Sequence, residues 1–263
     1  MKFGRKGAYT LKKYGHFFKS DLRRAVTEKG FVLAMLLIMA VFLNSFRLYV
    51  RKDGSMSTFE IIVNAMALSG FGPFAAVFPA MGYSSMFCQE FNSGYIRMIT
   101  TRMSYKRFML VRLISVGLSG GLTIGVPFAV YYALAYVTGY HGLPDNGMLD
   151  GMVAGYYLEH YGDLFVIWFK ILLGFLFGVM FSVLSLIFAA LTVNRYASML
   201  APFIIYEMLW ALLPLKFKYL NPIYLLRGDD VDSYVLSALM ELIYMIFLII
   251  IAWFVMKKRI SEE

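Results

Sequence analysis

Six stretches of this chain are apolar over lengths close to or beyond what a lipid bilayer requires, and that limits the fold to helices. A hydrocarbon core about 30 Å thick takes roughly 20 apolar residues of helix. Backbone inside it has no water to bond, so each segment must satisfy its own N–H and C=O groups. The runs fall at 30–49, 60–87, 108–138, 164–193, 197–213 and 234–256. Composition points the same way. The chain is 60% hydrophobic and 16% charged, where a soluble domain carries about 25% charged residues. The expected fold class is all-α integral membrane, with six transmembrane helices, an N-terminal amphipathic interfacial helix, and a broken re-entrant segment before the last span. No loop has room for an ordinary soluble domain.

Residues 1–29 hold nine Lys/Arg. Leu11, Tyr14, Phe18, Leu22, Ala25 and Val26 recur at helical spacing, while Lys12, Lys13, His16, Lys19, Arg23 and Arg24 take the other face. That pattern predicts a basic helix lying in the headgroup plane. It does not read as a cleaved signal peptide, because the apolar run behind it is too long and lacks a small-x-small end. The run at 60–87 is interrupted by Gly70, Gly72, Pro73, Pro79 and Gly82. Proline removes a backbone donor, so this span is expected to kink or to line a cavity. Gly117, Gly120, Gly121 and Gly125, and Gly174 with Gly178, are small residues that let helices approach closely. The segment 214–233, with Pro214 and Pro222, reads as a pair of short re-entrant or interfacial helices.

The net charge of +9 is a statement about topology and anionic lipid, not nucleic acid. Nine Lys/Arg in 1–29, five in 88–112, Arg195 and three in the tail make eighteen on one side, against six on the other. The loop 139–163 has no Lys or Arg and carries Asp145, Asp150, Glu159 and Asp163. The positive-inside rule then places both termini in the cytoplasm. The domain plan is a leader over 1–29, a transmembrane domain over 30–256 and a tail over 257–263. Within it, 88–107 is a cytoplasmic loop, and 50–59, 139–163 and 214–233 are extracytoplasmic.

Catalytic motifs are missing. There is no G-x-x-x-x-G-K-[ST], no H-E-x-x-H and no G-x-S-x-G, so the chain has no phosphate loop, zincin helix or nucleophile elbow of its own. His16, His141 and His160 have no metal-ligand spacing. The single cysteine, Cys88, excludes an intrachain disulfide and reads as a packed thiol. Lys170, Glu207 and Glu241 are ionisable groups inside spans, a class that is functional by default. For Lys170 and Glu241 the competing reading is snorkelling or an interhelix hydrogen bond, and for Glu207 it is structural pairing. Glu207, mid-span behind Pro202, is a candidate to line a pathway, with Tyr83 and Phe87 on the broken span as candidate aromatic lining.

The polar segment CQEFNSGYIRMITTRMSYKRFMLVR, 88–112, carries Glu90, Gly94, Arg97, Thr100-Thr101, Ser104, Lys106-Arg107 and Arg112 in that order. It resembles the loop between the second and third spans of permeases of the type-2 ABC (ATP-binding cassette) exporter family. There a Glu-x-x-x-Gly helix leads into a Thr/Ser-Pro-x-Ser turn and a basic residue entering the third helix. Arg102 stands where the family usually has proline, and Arg112 where lysine is frequent. The resemblance extends to the six-span architecture and implies a separate ATPase subunit in two copies, which binds ATP and Mg, and a second permease chain, a homodimer being expected. A helix over 88–106 is then expected to dock on the ATPase through Glu90, Gly94, Arg97, Arg102 and Arg107. Plain headgroup contact is the competing role for the arginines. The protein would sit in a bacterial cytoplasmic membrane and export an amphipathic cargo, antimicrobial or cytolytic peptides first. Polysaccharide, lipid or drug export by the same fold is the alternative, as is an immunity or scaffold protein without ATP drive. A secondary transporter would need internal repeats with matching broken helices, and the two halves show none.

Overall fold

The computed structural model describes residues 3–50, 55–144, 153–213, 215–229 and 231–261, with side chains from residue 15 onward, residue 215 excepted. The expected stripe positions Leu11 and Tyr14, the charges Arg51, Lys52, Asp145 and Asp150, the helix breaker Pro214 and the end of the tail lie outside the described side chains. Among the described residues all regular structure is helical: α1 Phe3–Thr27, α2 Lys29–Tyr49, α3 Thr58–Leu68, α4 Phe71–Phe74, α5 Val77–Met81, α6 Met86–Asn92, α7 Tyr95–Thr100, α8 Tyr105–Thr138, α9 Val153–Tyr161, α10 Asp163–Thr192, α11 Arg195–Leu212, α12 Pro222–Arg227 and α13 Tyr234–Ser261. Single 3₁₀ turns cover Tyr83–Ser85 and Leu215–Phe217.

The protein is a membrane-embedded, multi-pass helical bundle. Helices α2, α8, α10 and α13 are each long and apolar enough to cross a bilayer, and α3 with the α4–α6 segment makes a fifth if that pair, bent by 60°, counts as one span. The expectation of six spans is therefore met for four or five by length and composition. The remaining candidate, α11, is 18 residues long, and Arg195 and Glu207 with its Tyr and Trp residues dilute its hydropathy. Two other expectations change. The loop 139–163 contains a helix, α9. The 88–106 helix is two short helices, α6 and α7, separated by Gly94 in the left-handed region (φ 70°).

Helices α8 and α10 form the interior. Their hydrophobic windows are 67% and 72% buried, against 28% for α2 and 22% for α13. Glycine makes that pair possible. A Cβ on Gly178 would meet the Gly120 carbonyl oxygen at 2.3 Å, and one on Gly174 would meet the Phe128 ring at 2.6 Å. Around this pair Phe42, Phe71, Phe78, Phe128, Tyr131 and Tyr132 pack ring against ring, with centroids 5.1–6.2 Å apart, in the tilted and stacked geometries aromatic pairs favour.

The broken span bends where its sequence breaks. Gly70 has φ 77°, which costs glycine nothing sterically. The interruption leaves backbone polar groups inside the bundle that need partners, and Tyr206 of α11 donates its hydroxyl to the Gly72 carbonyl at 2.6 Å. The start of α3 is fixed by a capping box. Ser57 Oγ accepts from Glu60 N at 3.2 Å, and Glu60 Oε2 accepts from Ser57 N at 2.7 Å, so two otherwise orphaned donors are satisfied. The same turn is pinned to the end of α8, since Thr58 N donates to Tyr140 O at 2.9 Å and Tyr140 N to Met56 O at 3.1 Å. Asn194 caps α11 and Asn221 caps α12, whose first residue is Pro222, the position where a missing N–H costs least.

Candidate functional site

The 88–112 segment lies at the bundle end that also carries α1 and the α10–α11 turn, and it is held from beneath by a buried charge cluster. Arg112, a little over two turns into α8, is 1% exposed, and Asp21 of α1, Tyr83 and Glu90 of α6 are 2%, 1% and 4% exposed. The Arg112 guanidinium pairs with Glu90 Oε2, lies 3.5 Å from Asp21 Oδ1, and stacks 4.7 Å from the centre of the Tyr83 ring and 5.5 Å from that of Phe108. Tyr83 donates its hydroxyl to Asp21 Oδ1 at 2.7 Å. Arg24 closes the set by donating to Glu90 Oε1 at 2.9 Å. Two carboxylates face two guanidiniums, so the cluster is neutral. Three of these charges, Arg112, Asp21 and Glu90, are buried while Arg24 is half-exposed; burying charge is costly unless it is paired, and the pairing here joins α1, α6 and α8. Burial pulls the Arg24 pKa down, but Tyr83 and Glu90 nearby outweigh it and hold the guanidinium above its usual value.

The 3₁₀ turn Tyr83–Ser85 and α6 behind it are fastened to α10. Ser84 Oγ lies 2.7 Å from Ser185 Oγ, Ser185 donates in turn to the Ser198 carbonyl at 2.7 Å, and the buried Cys88 thiol points at the Ala189 carbonyl at 3.6 Å. Beyond Gly94 the chain turns outward. Arg97, Arg102, Lys106 and Arg107 are all exposed, as is Met98 at 58%. The helix end is closed by two threonines, Thr100 Oγ1 donating to Arg97 O at 2.9 Å and Thr101 Oγ1 to Met98 O at 2.7 Å. Arg102 N donates to Ile99 O at 2.9 Å. A proline at 102 would have no such hydrogen to give, so the turn here is built on a backbone bond instead of a ring constraint.

The sequence-derived candidates therefore separate. Arg97, Arg102 and Arg107 form a cationic surface. Glu90, expected as a docking contact, is engaged inside the protein. Gly94 supplies the left-handed break between the two helices, and a Cβ there would meet nothing within 4 Å, so the backbone angle alone selects glycine. Tyr83 belongs to the charge cluster, and Phe87, 0% exposed, belongs to the apolar core beside it with Phe91. Glu207 sits on α11, half-buried, with Oε1 lacking a hydrogen-bond partner. None of these three lines the apolar grooves that run between α8, α10 and α13 or between α10, α11 and α13.

Two partners escaped the sequence reading. Asp21 lies three residues from Phe18 and four from Ala25, on the apolar stripe of an otherwise basic helix, and that misplaced acid was the available signal. Lys170, the other buried cation, donates to both oxygens of Asp229 at 2.8 and 2.7 Å and to the Arg227 carbonyl at 3.0 Å, while Tyr234 also donates to Asp229 at 2.8 Å. Lys170 thus pins α12 to α10 at the opposite end of the bundle. Compared with known proteins, the chain matches no family model, no curated protein and no solved structure.

Proposed function

We propose that the chain is the transmembrane permease subunit of an ATP-driven exporter of the type-2 ABC kind. It pairs with a second copy of itself and with two ATPase subunits that bind ATP and Mg, since it has no phosphate loop of its own. In this reading α11 is a sixth crossing, both termini and the α6–α7 segment face the cytoplasm, and the membrane is a bacterial cytoplasmic one. The cargo is an amphipathic peptide of the antimicrobial or cytolytic class.

The observation that supports it is the contrast within 86–107. An exposed cationic turn, Arg97 to Arg107, stands on a base that three helices clamp through buried Arg112, Asp21 and Glu90, with half-exposed Arg24 completing the charge balance. A surface meant only to contact headgroups needs charge. A surface that transmits a partner's movement also needs a stiff connection to the spans behind it. The resemblance of the Glu90–Gly94–Thr100–Ser104 pattern to the family's coupling loop gives that partner its identity.

The test is co-purification. The chain is expressed with ATPases encoded beside it, reconstituted in nanodiscs, and ATP hydrolysis is measured. Arg97→Glu with Arg102→Glu reverses the surface and leaves the buried cluster alone, and the expected result is a roughly tenfold loss of complex affinity, more at low salt. An ATPase that never associates, or one indifferent to the reversal, removes the reading.

A further inference from the structure

Helices α8, α10 and α13 enclose an open groove of about 450 Å³, lined by apolar residues and glycine, among them Leu110, Ile114, Gly117, Val179, Ile249 and Trp253. Its floor is tight and its rim is open. A Cβ on Gly117 would meet Val179 Cγ1 at 3.3 Å, so α8 and α10 nearly touch there. Along the rim, Leu110 and Ile114 of α8 and Ile250 and Phe254 of α13 are exposed, so the groove opens sideways into hydrocarbon. No water is at hand to fill it at that depth. Left empty, its walls would lose dispersion contacts on their open side.

The groove is lined from 110–118 on α8 and from 245–253 on α13, so it runs toward the bundle end where α8 starts and α13 finishes. Those two helix ends meet, since Met256 lies in the same buried cluster as Phe108 and Met109. There the apolar stripes turn into charge. Lys106 and Arg107 stand four and three residues before Leu110, and Lys257 stands four residues after Trp253, the spacings that share a helix face. Lys106 and Lys257 are exposed. Residues 103–114 and 252–261 contain no Asp or Glu. Two nearby cations are engaged elsewhere, Arg112 with Glu90 and Arg259 over the Phe91 ring at 5.0 Å. A lysine lays its alkyl stem along apolar surface and keeps its ammonium at headgroup depth. A slot that is apolar along its length and cationic at its mouth matches a phospholipid with a negative headgroup. A second copy of the chain fits worse. A two-fold contact sets a patch against itself, and here it would press the same lysines together, like charge against like.

We propose that this groove is a binding site for one anionic phospholipid, with an acyl chain seated between α8, α10 and α13 and the headgroup phosphate held by Lys106 and Lys257. The site follows from the membrane-embedded bundle and does not depend on the exporter reading.

Trp253, in the groove lining, supplies the reporter. The full chain with Trp168→Phe and Trp210→Phe keeps Trp253 as its one tryptophan. It is placed in phosphatidylcholine nanodiscs, and lipids with brominated acyl chains, which quench tryptophan on contact, are titrated in. Brominated phosphatidylglycerol is expected to saturate its quenching at a mole fraction roughly tenfold lower than brominated phosphatidylcholine. Lys106→Gln with Lys257→Gln, both at exposed positions, is expected to bring the two lipids within about twofold of each other while leaving quenching by phosphatidylcholine unchanged. Lys106→Arg with Lys257→Arg is expected to restore the preference. A second measurement uses the chain with all its tryptophans. Native mass spectrometry from an equal mixture of the two lipids is expected to show one retained phosphatidylglycerol, which the double Gln variant loses. Equal quenching or equal retention of the two lipids overturns the proposal, as does a preference that survives the double Gln variant. A Trp253 that neither lipid quenches, the result of a second chain covering the groove, overturns it too.

Discussion

Arg112 is the residue on which most of the α1–α6–α8 end of the bundle depends. Its guanidinium compensates Glu90 and Asp21 at once, and both stay buried if it is removed. Arg112→Met is therefore expected to cost about 3–5 kcal/mol, the usual cost of orphaning a buried charge, measured as loss of denaturant resistance in detergent. Arg112→Met with Glu90→Gln removes one of the two orphaned carboxylates and leaves Asp21 with its Tyr83 hydrogen bond, so it is expected to recover part of that loss. A double variant as unstable as the single one would mean that packing, not charge balance, sets the cost. The parallel pair is Lys170 and Asp229, where Lys170→Met is expected to cost a similar amount and Lys170→Met with Asp229→Asn less. Neither pairing was legible in the sequence. Lys170 stood out as a charge inside a span, and Arg112 as a basic residue entering one. Their partners lie 59 and 22 residues away, in segments whose local patterns are a broken loop and a polar turn. Periodicity says which face a residue takes within its own helix. It does not say which other helix supplies the counter-charge.

Elements were easier to read because their causes are local. The bend in the second span follows from Gly70, and the close crossing of α8 and α10 from glycines visible as short repeats. The glycines are not equivalent, however, and the difference gives a prediction. Gly178 touches the Gly120 backbone, so Gly178→Ala forces the two helices apart and is expected to destabilise by about 1–3 kcal/mol. A Cβ at Gly125 meets Phe175 at an ordinary 3.5 Å, so Gly125→Ala is expected to be neutral or to stabilise by up to about 1 kcal/mol through helix propensity. Thermal unfolding of the two variants side by side tests the packing, and similar losses would place the contact elsewhere. Gly94 fails for a different reason. With open space around it but φ near 70°, Gly94→Ala is expected to strain the backbone by about 1–2 kcal/mol and to reorient α7, which protease sensitivity within 93–104 would report. The split of 88–106 into two helices was hidden because glycine in a helical pattern is ambiguous between tolerated interior residue and break, and only the three-dimensional seat of α6 against α10 decides it.

For the molecule as a whole, the open question of crossings can be argued from contacts rather than hydropathy. Helix α11 runs back along α10, Ser198 beside Ser185 and Tyr206 beside Phe181 and Phe177. Helix α13 starts where Tyr234 meets Asp229 near the beginning of α10, and ends with Met256 in the same core as Ile187. The chain between α10 and α13 must therefore travel from one end of the bundle to the other, whether or not α11 alone looks apolar enough. Of its polar residues Ser198 and Tyr206 are buried, Tyr206 turned inward onto Gly72. A charge count of eighteen Lys/Arg against six gives the expected orientation, with the charge-rich side cytoplasmic. In a Cys88→Ala background, Arg102→Cys and Lys258→Cys, both at exposed positions, are expected to react with an impermeant maleimide only from the cytoplasmic side. Leu143→Cys, at a site 46% exposed, is expected to react only from the other. The Lys258 position decides the matter, because an even number of crossings after α1 returns it to the side of Arg102 and an odd number does not. Labelling of Lys258→Cys from outside, with Arg102→Cys inside, would mean that α11 does not cross. The six-span permease reading would then fail on topology before any partner was sought.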